Sequence, residues 1–221
     1  GAWDPGASWL GWGGGGGAVL AEATPGRRVA VAGGAVGGDA IGGTIRRAPN
    51  QRHDEELGKA LLASGKARHE HALVVKHIRE ALAPLCEALE VADEPRLIKL
   101  RNLQHLWTPL RGRRADGASP LKLAARLHPT PAVGGMPVGP ARHWLATHGE
   151  GTARGWYTGT VGWLDTQGDG ELAVLLRCTL LDEDCADLYA GAGVVGDSDP
   201  AAELEETELK LGAMLEALEN A

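Results

Sequence analysis

Apolar residues recur at helical spacing through "DEELGKALLASGKARHEHALVVKHIREALAPLCEAL", residues 54 to 89, where Val74, Ile78, Leu82, Leu85 and Leu89 lie three or four positions apart. That period lines one face of an α-helix, so the stretch is predicted helical. Pro84 is expected to kink or interrupt it, because proline lacks the N–H and its ring clashes with the preceding turn. In "LKLAARLHPTPAVGGMP" a short helix is expected to stop at Pro129, Pro131 and the Gly134-Gly135 pair. "ARHWLATH" predicts another helix. "GWYTGTVGWLDTQGDGELAVLLRCTLL" predicts a hairpin, two β-rich runs joined by a turn carrying Asp165, Gly168, Asp169 and Gly170. "CADLYAGAGVV" predicts a third strand, and "AAELEETELKLGAMLEAL", residues 201 to 218, a closing helix.

The amino-terminal part carries little of this pattern. Fifteen of the 33 glycines fall within the first 43 residues. Glycine loses the most backbone freedom on folding, so this region is expected to be weakly specified, as loop or poorly ordered edge strand. For the remainder, 221 residues with 43% hydrophobic and 23% charged side chains describe one soluble globular domain. No apolar run approaches a bilayer's thickness, and the first 17 residues lack the layout of a secretory signal, so a cytoplasmic chain is expected. Cys86, Cys178 and Cys185 lack metal-ligand spacing and suit a reducing compartment. A net charge of −7 argues against nucleic-acid partners. The basic "RGRR" at 111 to 114 reads as a solvated loop.

Candidate chemistry is sparse until acidic residues are placed on their helices. "GAGVVG" at 191 to 196 has the glycine pattern of a dinucleotide-binding turn, but "DSDP" intervenes before the helix and the preceding strands look like an antiparallel meander. "DTQGDG" begins like a calcium loop, yet its twelfth position is Leu176 where a glutamate is required. His69 and His71 are two apart on a helix and do not face each other. Glu70 lies four residues before Val74, which carries its carboxylate along the apolar stripe. A buried carboxylate must be paired, protonated or bound to a cation; an exposed helix start is the alternative. On the closing helix, at about 100° per residue, Glu203, Glu206 and Lys210 share an arc of about 60° beside the apolar face of Leu204, Leu211, Met214, Leu215 and Leu218. Glu205, Glu208, Glu216 and Glu219 point to the solvated side. Spacing alone leaves open a surface Glu206–Lys210 pair or an inward-facing site.

Taken together and in order, "LLASGKARHEH", "LHPTPAVGG", "RGWYTGTVGWLDTQGDGE" and "LYAGAGVV" followed by "ELEETELK" resemble the chorismate-utilising enzymes. "HPTPAV" and "QHLWT" look like the isochorismate synthase branch, which serves menaquinone and siderophore pathways, rather than the anthranilate or salicylate synthase branches. The resemblance runs from about Thr24 to the end, with residues 1–22 a poorly matching glycine-rich segment and 23–221 the carboxy-terminal portion of the chorismate-binding domain. It implies an α+β fold of antiparallel sheets flanked by helices, incomplete at its amino-terminal side. It also implies an isomerase acting as a monomer on chorismate with Mg²⁺, adding water at ring carbon C2 as the C4 hydroxyl leaves.

Residue by residue, the resemblance implies that Glu70 and Glu206 hold magnesium with Glu203 supporting the metal face. Arg177 would bind a substrate carboxylate, and Gly43, Thr44, His105, Ala132, Gly191 and Lys210 would complete the substrate site. Two positions depart from the pattern. Gly26 stands where the family carries the glutamate that acts as general acid, and Ala67 where relatives carry an aspartate near the metal. No counterpart of the family's general-base lysine is found. A catalytically defective homologue that keeps chorismate and Mg²⁺ binding is therefore the second expectation. A salicylate- or anthranilate-synthase-like enzyme is the third.

Overall fold

Ser64 divides the predicted long helix. Its backbone leaves the helical region, and its hydroxyl accepts from the Ala67 amide at 3.3 Å, so α1 (Gln51–Ala63) ends where α2 (Gly65–Leu82) begins. After α2, Pro84 sits in a single 3-10 turn, Ala83–Leu85. Leu89, expected on the helix, instead lies in a strand, Cys86–Val91. Proline sets φ and removes a donor, so the chain leaves the helix at that point.

The structure, a computed structural model, describes residues 8–13, 19–24, 27–148 and 154–219. Its strands are β1 (Ser8–Gly13), β2 (Val19–Thr24), β3 (Arg27–Ala32), β4 (Ala35–Arg46), β5 (Cys86–Val91), β6 (Arg96–Lys99), β7 (Leu103–Arg114), β8 (Thr160–Leu164), β9 (Gly170–Val174), β10 (Cys178–Asp182) and β11 (Cys185–Tyr189). The remaining helices are α3 (Pro120–Leu127), α4 (Pro131–Gly134), α5 (Val138–Thr147) and α6 (Pro200–Glu219). Seven strands form one antiparallel sheet in the order β5-β7-β4-β3-β9-β8, with β6 also paired to β7; the other four form a smaller sheet, β1-β2-β10-β11. This is the α+β architecture of antiparallel sheets and helices that the resemblance implied.

Alternation along the strands puts Val29, Val31, Val36, Ala40, Leu110 and Leu172 on one face of the larger sheet. There they pack with Val74, Ile78 and Leu82 of α2 and with Leu123 and Leu127 of α3. Full burial of such side chains stabilises by about 1.5–3 kcal/mol each.

Four expectations about strands are corrected. Of the glycine-rich stretch, residues 1–7, 14–18 and 25–26 lie outside the described residues, and β1 is an edge strand of the smaller sheet. The part in β3 and β4 is neither loop nor edge strand, because these strands occupy the middle of the larger sheet. Glycine serves there by letting α2 approach: a Cβ at Gly42 would come 3.4 Å from the His71 ring, and one at Gly43 would come 3.1 Å from the Ala67 Cβ. "RGRR" is the end of β7, paired with β4 and β5, and not a loop. The long β-rich run after the hairpin turn breaks at Leu175–Arg177, so that β9 stays in the larger sheet and β10 enters the smaller. The strand expected across "CADLYAGAGVV" ends at Tyr189. On α6, Leu204 and Leu215 are exposed, Leu211 and Leu218 are half-buried and Met214 is buried together with Glu203, so the predicted apolar face is buried only in part. Glu216, placed with the solvated set, is bonded by Arg101 at 2.6 Å and Asn102 at 2.9 Å. No helix among the described residues is long and apolar enough to cross a membrane.

Candidate active site

Helices α2 and α6 bring three carboxylates and two ammonium groups together. Glu70 and Lys66 are one turn apart on α2, with the Lys66 Nζ 3.4 Å from the Glu70 Oε1. Lys66 also donates to Glu203 across the gap to α6. One turn further along α6, Lys210 lies 2.8 Å from Glu206 and donates to the Gly191 carbonyl at 2.8 Å. The expected choice between a surface pair and an inward site thus resolves as both: Glu206 and Lys210 are paired, and both are four-fifths buried, at 21% and 17% exposed.

The electrostatics follow from crowding. Burial pushes the Glu70 carboxyl above its ordinary value and outweighs the pull of Lys66, with the Glu206 and Glu203 charges adding to the rise. Burial also works against the Glu203 carboxylate, but the Lys66 hydrogen bond and charge leave it below its ordinary value. The Glu70 Oε1 and the Glu203 Oε2 are buried and accept no hydrogen bond. Unsatisfied buried carboxylate oxygens call for a cation.

Among the described residues no three acidic, histidine or cysteine side chains converge tightly enough to cage a metal by themselves. The hard cation that suits this chemistry needs no such cage. Mg²⁺ keeps several waters and takes one or two carboxylates plus substrate oxygens. Glu70, Glu203 and Glu206 fit that requirement, with Glu70 and Glu203 offering oxygens that accept no hydrogen bond.

The second half of the site stands on the sheets. Between Gly42 and Thr44 the register of β4 against β7 shifts by one residue, leaving Gly43 as a bulge at φ 62°. The Gly43 carbonyl lies 2.9 Å from the His105 Nδ1, and the Thr44 hydroxyl lies 3.4 Å from the same atom. The His105 Nε2 is 2.6 Å from the Arg177 Nη2. Arg177 belongs to the link between β9 and β10, is 8% exposed, and holds a left-handed backbone at φ 49°. A non-glycine residue in that region carries about 1–3 kcal/mol of strain, and such positions cluster at functional sites. Burial first, and then the Arg177 charge, lower His105 to about 3; the Lys210 charge contributes too. Lys210 acts electrostatically on Glu203 as well, so it lies within electrostatic range of both halves.

The structure therefore gathers Glu70, Glu203, Glu206, Lys210 and Gly191 at the helix side, and Gly43, Thr44, His105 and Arg177 at the sheet side. Gly191 leaves little room: a Cβ there would come 2.9 Å from the Tyr157 hydroxyl. Ala132 is exposed on α4, which packs against α2. Ala67 is buried beside Leu61 and Leu106. Gly26 lies outside the described residues. Two residues were not singled out in the sequence. Lys66 bridges Glu70 and Glu203, and its spacing of four from Glu70 was a readable signal. Glu22 is fully buried on β2 near the break before β10, where its Oε1 accepts from the Leu176 amide at 3.4 Å, and no periodicity marks it.

Comparison with known proteins bears on this arrangement. The family described as chorismate binding enzyme matches residues 8–219. The chain is 49% identical over 203 residues to the salicylate biosynthesis isochorismate synthase of Pseudomonas aeruginosa, covering 92% of this chain and 42% of that protein. It is 40% identical over 202 residues to the isochorismate synthase MenF of Bacillus subtilis, covering 91% of this chain and 43% of that protein. Among solved structures, the menaquinone-specific isochorismate synthase MenF from Escherichia coli superposes with a TM-score of 0.85 at 30% identity, over 96% of this chain and 48% of that one. The chain thus spans less than half the length of each of these relatives.

Proposed function

Because the chain belongs to the chorismate-binding enzyme family, we propose that it binds chorismate together with Mg²⁺ and carries the metal- and carboxylate-binding half of an isochorismate synthase site. The observation that carries this reading is the meeting of two chemistries in one place. Buried carboxylate oxygens on α2 and α6 that accept no hydrogen bond, with Lys66 as their nearby ammonium, suit a cation, and the guanidinium of Arg177 suits an anion.

In this reading Glu70 and Glu206 hold the ion, and Glu203 supports it through its oxygen that accepts no hydrogen bond. When bound, Mg²⁺ would supply positive charge that fixes a substrate carboxylate and stabilises negative charge developing there. Arg177 takes the other carboxylate, and its planar fork sets the orientation of the ring. Lys210, tied to Glu206 and to the Gly191 carbonyl, adds a second cation at the ring's edge. Gly191 and Gly43 keep backbone close to the substrate, and Thr44 and Ala132 line it.

Isochorismate formation requires one proton delivered to the leaving C4 hydroxyl and one removed from the water that adds at C2. Gly26, at the position of the family's acid, has no proton to give. Loss of general acid catalysis lowers rates by about 10² to 10⁴. The expected behaviour is chorismate binding that requires Mg²⁺, with turnover far below that of the longer relatives. Calorimetry with chorismate in the presence and absence of Mg²⁺ tests the binding, and chromatography of the incubated mixture tests for isochorismate. Absence of chorismate binding with Mg²⁺ present overturns the proposal.

A further inference from the structure

We infer that His105 is a positioning residue: the bulge at Gly43 fixes the histidine tautomer, and the bare Nε2 so created holds the Arg177 guanidinium in the direction that receives the substrate carboxylate. The inference rests on the chorismate reading for the identity of that carboxylate, and on hydrogen-bond logic for everything else.

A guanidinium has only N–H donors, so the His105 Nε2, 2.6 Å from the Arg177 Nη2, must be an acceptor and carry no proton. The imidazole proton is then on Nδ1, and an acceptor waits there, the Gly43 carbonyl at 2.9 Å. That carbonyl points inward because Gly43 is the extra residue of the bulge, where the pairing of β4 slips from Leu106 opposite Gly42 to His105 opposite Thr44. The left-handed φ of 62° there is one that glycine adopts without strain.

At the other end, Arg177 reaches the ring from a backbone that is itself left-handed, in the short link where the chain changes sheets. Both partners are buried, His105 at 2% and Arg177 at 8% exposed, so water does not substitute readily for the contact. The ring remains neutral well below physiological pH because burial and the adjacent guanidinium both oppose a second proton. A charged imidazolium would offer a second donor to a donor and release the arm.

The tautomer is read directly from a two-bond proton–nitrogen correlation spectrum of the uniformly ¹⁵N-labelled chain at pH 7, with the His105 signals assigned by their loss in His105→Gln. The expected pattern is a protonated Nδ1 and a bare Nε2. The reverse tautomer, or a doubly protonated ring, overturns the inference. The second arm is chorismate affinity with Mg²⁺ by calorimetry. His105→Ala, which removes the acceptor, should weaken binding by about 10- to 100-fold, the worth of a hydrogen bond to a charged group. His105→Gln places an amide oxygen where Nε2 was and should restore binding to within about threefold, a smaller change than one such bond. A glutamine variant that melts like the wild type yet binds as poorly as the alanine variant overturns the inference. If the wild type binds no chorismate at all, the chorismate proposal falls, and the tautomer alone then decides whether His105 orients Arg177.

Discussion

The two halves of the site are made in different ways. On the helix side, Lys66, Glu70, Glu203, Glu206 and Lys210 are held by long side chains that reach across from α2 and α6, and a third of the Lys66 side chain remains exposed. On the sheet side, His105 and Arg177 are buried and their directions are set by backbone: a glycine bulge on β4 and a left-handed residue between β9 and β10. Side chains that rotate can rearrange when a cation arrives, whereas backbone-fixed groups cannot. In the proposed function the helix side would respond to the metal, and the sheet side would hold one orientation of an anion.

The largest expected effect is that of acid, which acts on one buried histidine of the sheet side and one of α2. His105 is held at about 3 and His71, buried on α2 against Thr108, at about 4, both from an ordinary 6.5. For each the dominant cause is burial, with the charge of Arg177 or Arg68 adding to it. Above pH 6.5 both folded and unfolded chains leave these rings neutral, and the full stability is present. As pH falls through 6.5 the unfolded chain takes up protons first, and stability drops until the folded values are reached. At pH 5 the loss is about 2 kcal/mol for each histidine, or about 4 kcal/mol together. Urea unfolding at pH 7 and pH 5 measures it, and His71→Gln should remove about half of the difference. A loss unchanged by His71→Gln would contradict the assignment.

Next in size is Gly43→Val. The new side chain must adopt φ 62° and meet the Ala67 Cβ at 3.1 Å and the Leu61 Cδ1 at 3.4 Å. Backbone strain and overpacking together should destabilise by about 3 kcal/mol. Gly37→Ala is the control on the same strand, where an added Cβ has nothing within 4 Å. It should stay within about 1 kcal/mol. Equal losses from the two variants would mean that the bulge is not special.

These two regions also show what sequence could and could not reveal. Helical periodicity located Glu70, and wheel geometry separated Glu203, Glu206 and Lys210 from exposed Glu205, Glu208 and Glu219, because spacing on one helix is a local property. It misjudged part of the face of α6: Leu204 is 61% exposed, since the helix turns its acidic edge toward α2. Lys66 completes a cluster across two helices distant in sequence, which periodicity does not report. The sheet side was least legible. By composition Gly42 and Gly43 read as unspecified backbone, and only the resemblance put Gly43 in the site, yet they are positions where β4 touches α2, and their meaning depends on a helix some 25 residues later in the chain. His105 and Arg177 are 72 residues apart. The family resemblance placed both in one site, but only the fold shows that one holds the other.

On the helix side the effects are smaller and are read as metal affinity. Glu206→Gln keeps the shape of the side chain and removes one charge. It should weaken Mg²⁺ binding by about tenfold or more, the range seen when a group around a metal site is altered. Glu208→Gln, five residues along α6 from Glu203 and exposed, should leave Mg²⁺ affinity within about twofold, since a solvated charge is largely screened. Titration calorimetry with MgCl₂ compares the two. Equal effects would mean that the helix contributes only diffuse negative charge.

The smallest effect is the most specific to a rearranging cluster. Lys66 lies between Glu70 and Glu203, where a proposed cation would sit, and although burial opposes it, the Glu203 hydrogen bond and the charges of Glu70, Glu203 and Glu206 raise its ammonium above the ordinary value. Lys66→Met keeps the length of the side chain and removes the charge, leaving the carboxylates to repel one another. Without metal the variant should lose about 0.5–1 kcal/mol, the upper range for a partly exposed pair. With saturating Mg²⁺ the loss should shrink, because the ion neutralises the same oxygens and no longer has an ammonium to displace. Magnesium affinity should rise correspondingly, by about two- to fivefold, which is the same free energy seen from the binding side. Melting curves with and without MgCl₂ therefore separate two roles for Lys66. A stand-in cation gives a destabilisation that the metal repairs, whereas a lysine that helps to hold the metal gives one that the metal makes worse.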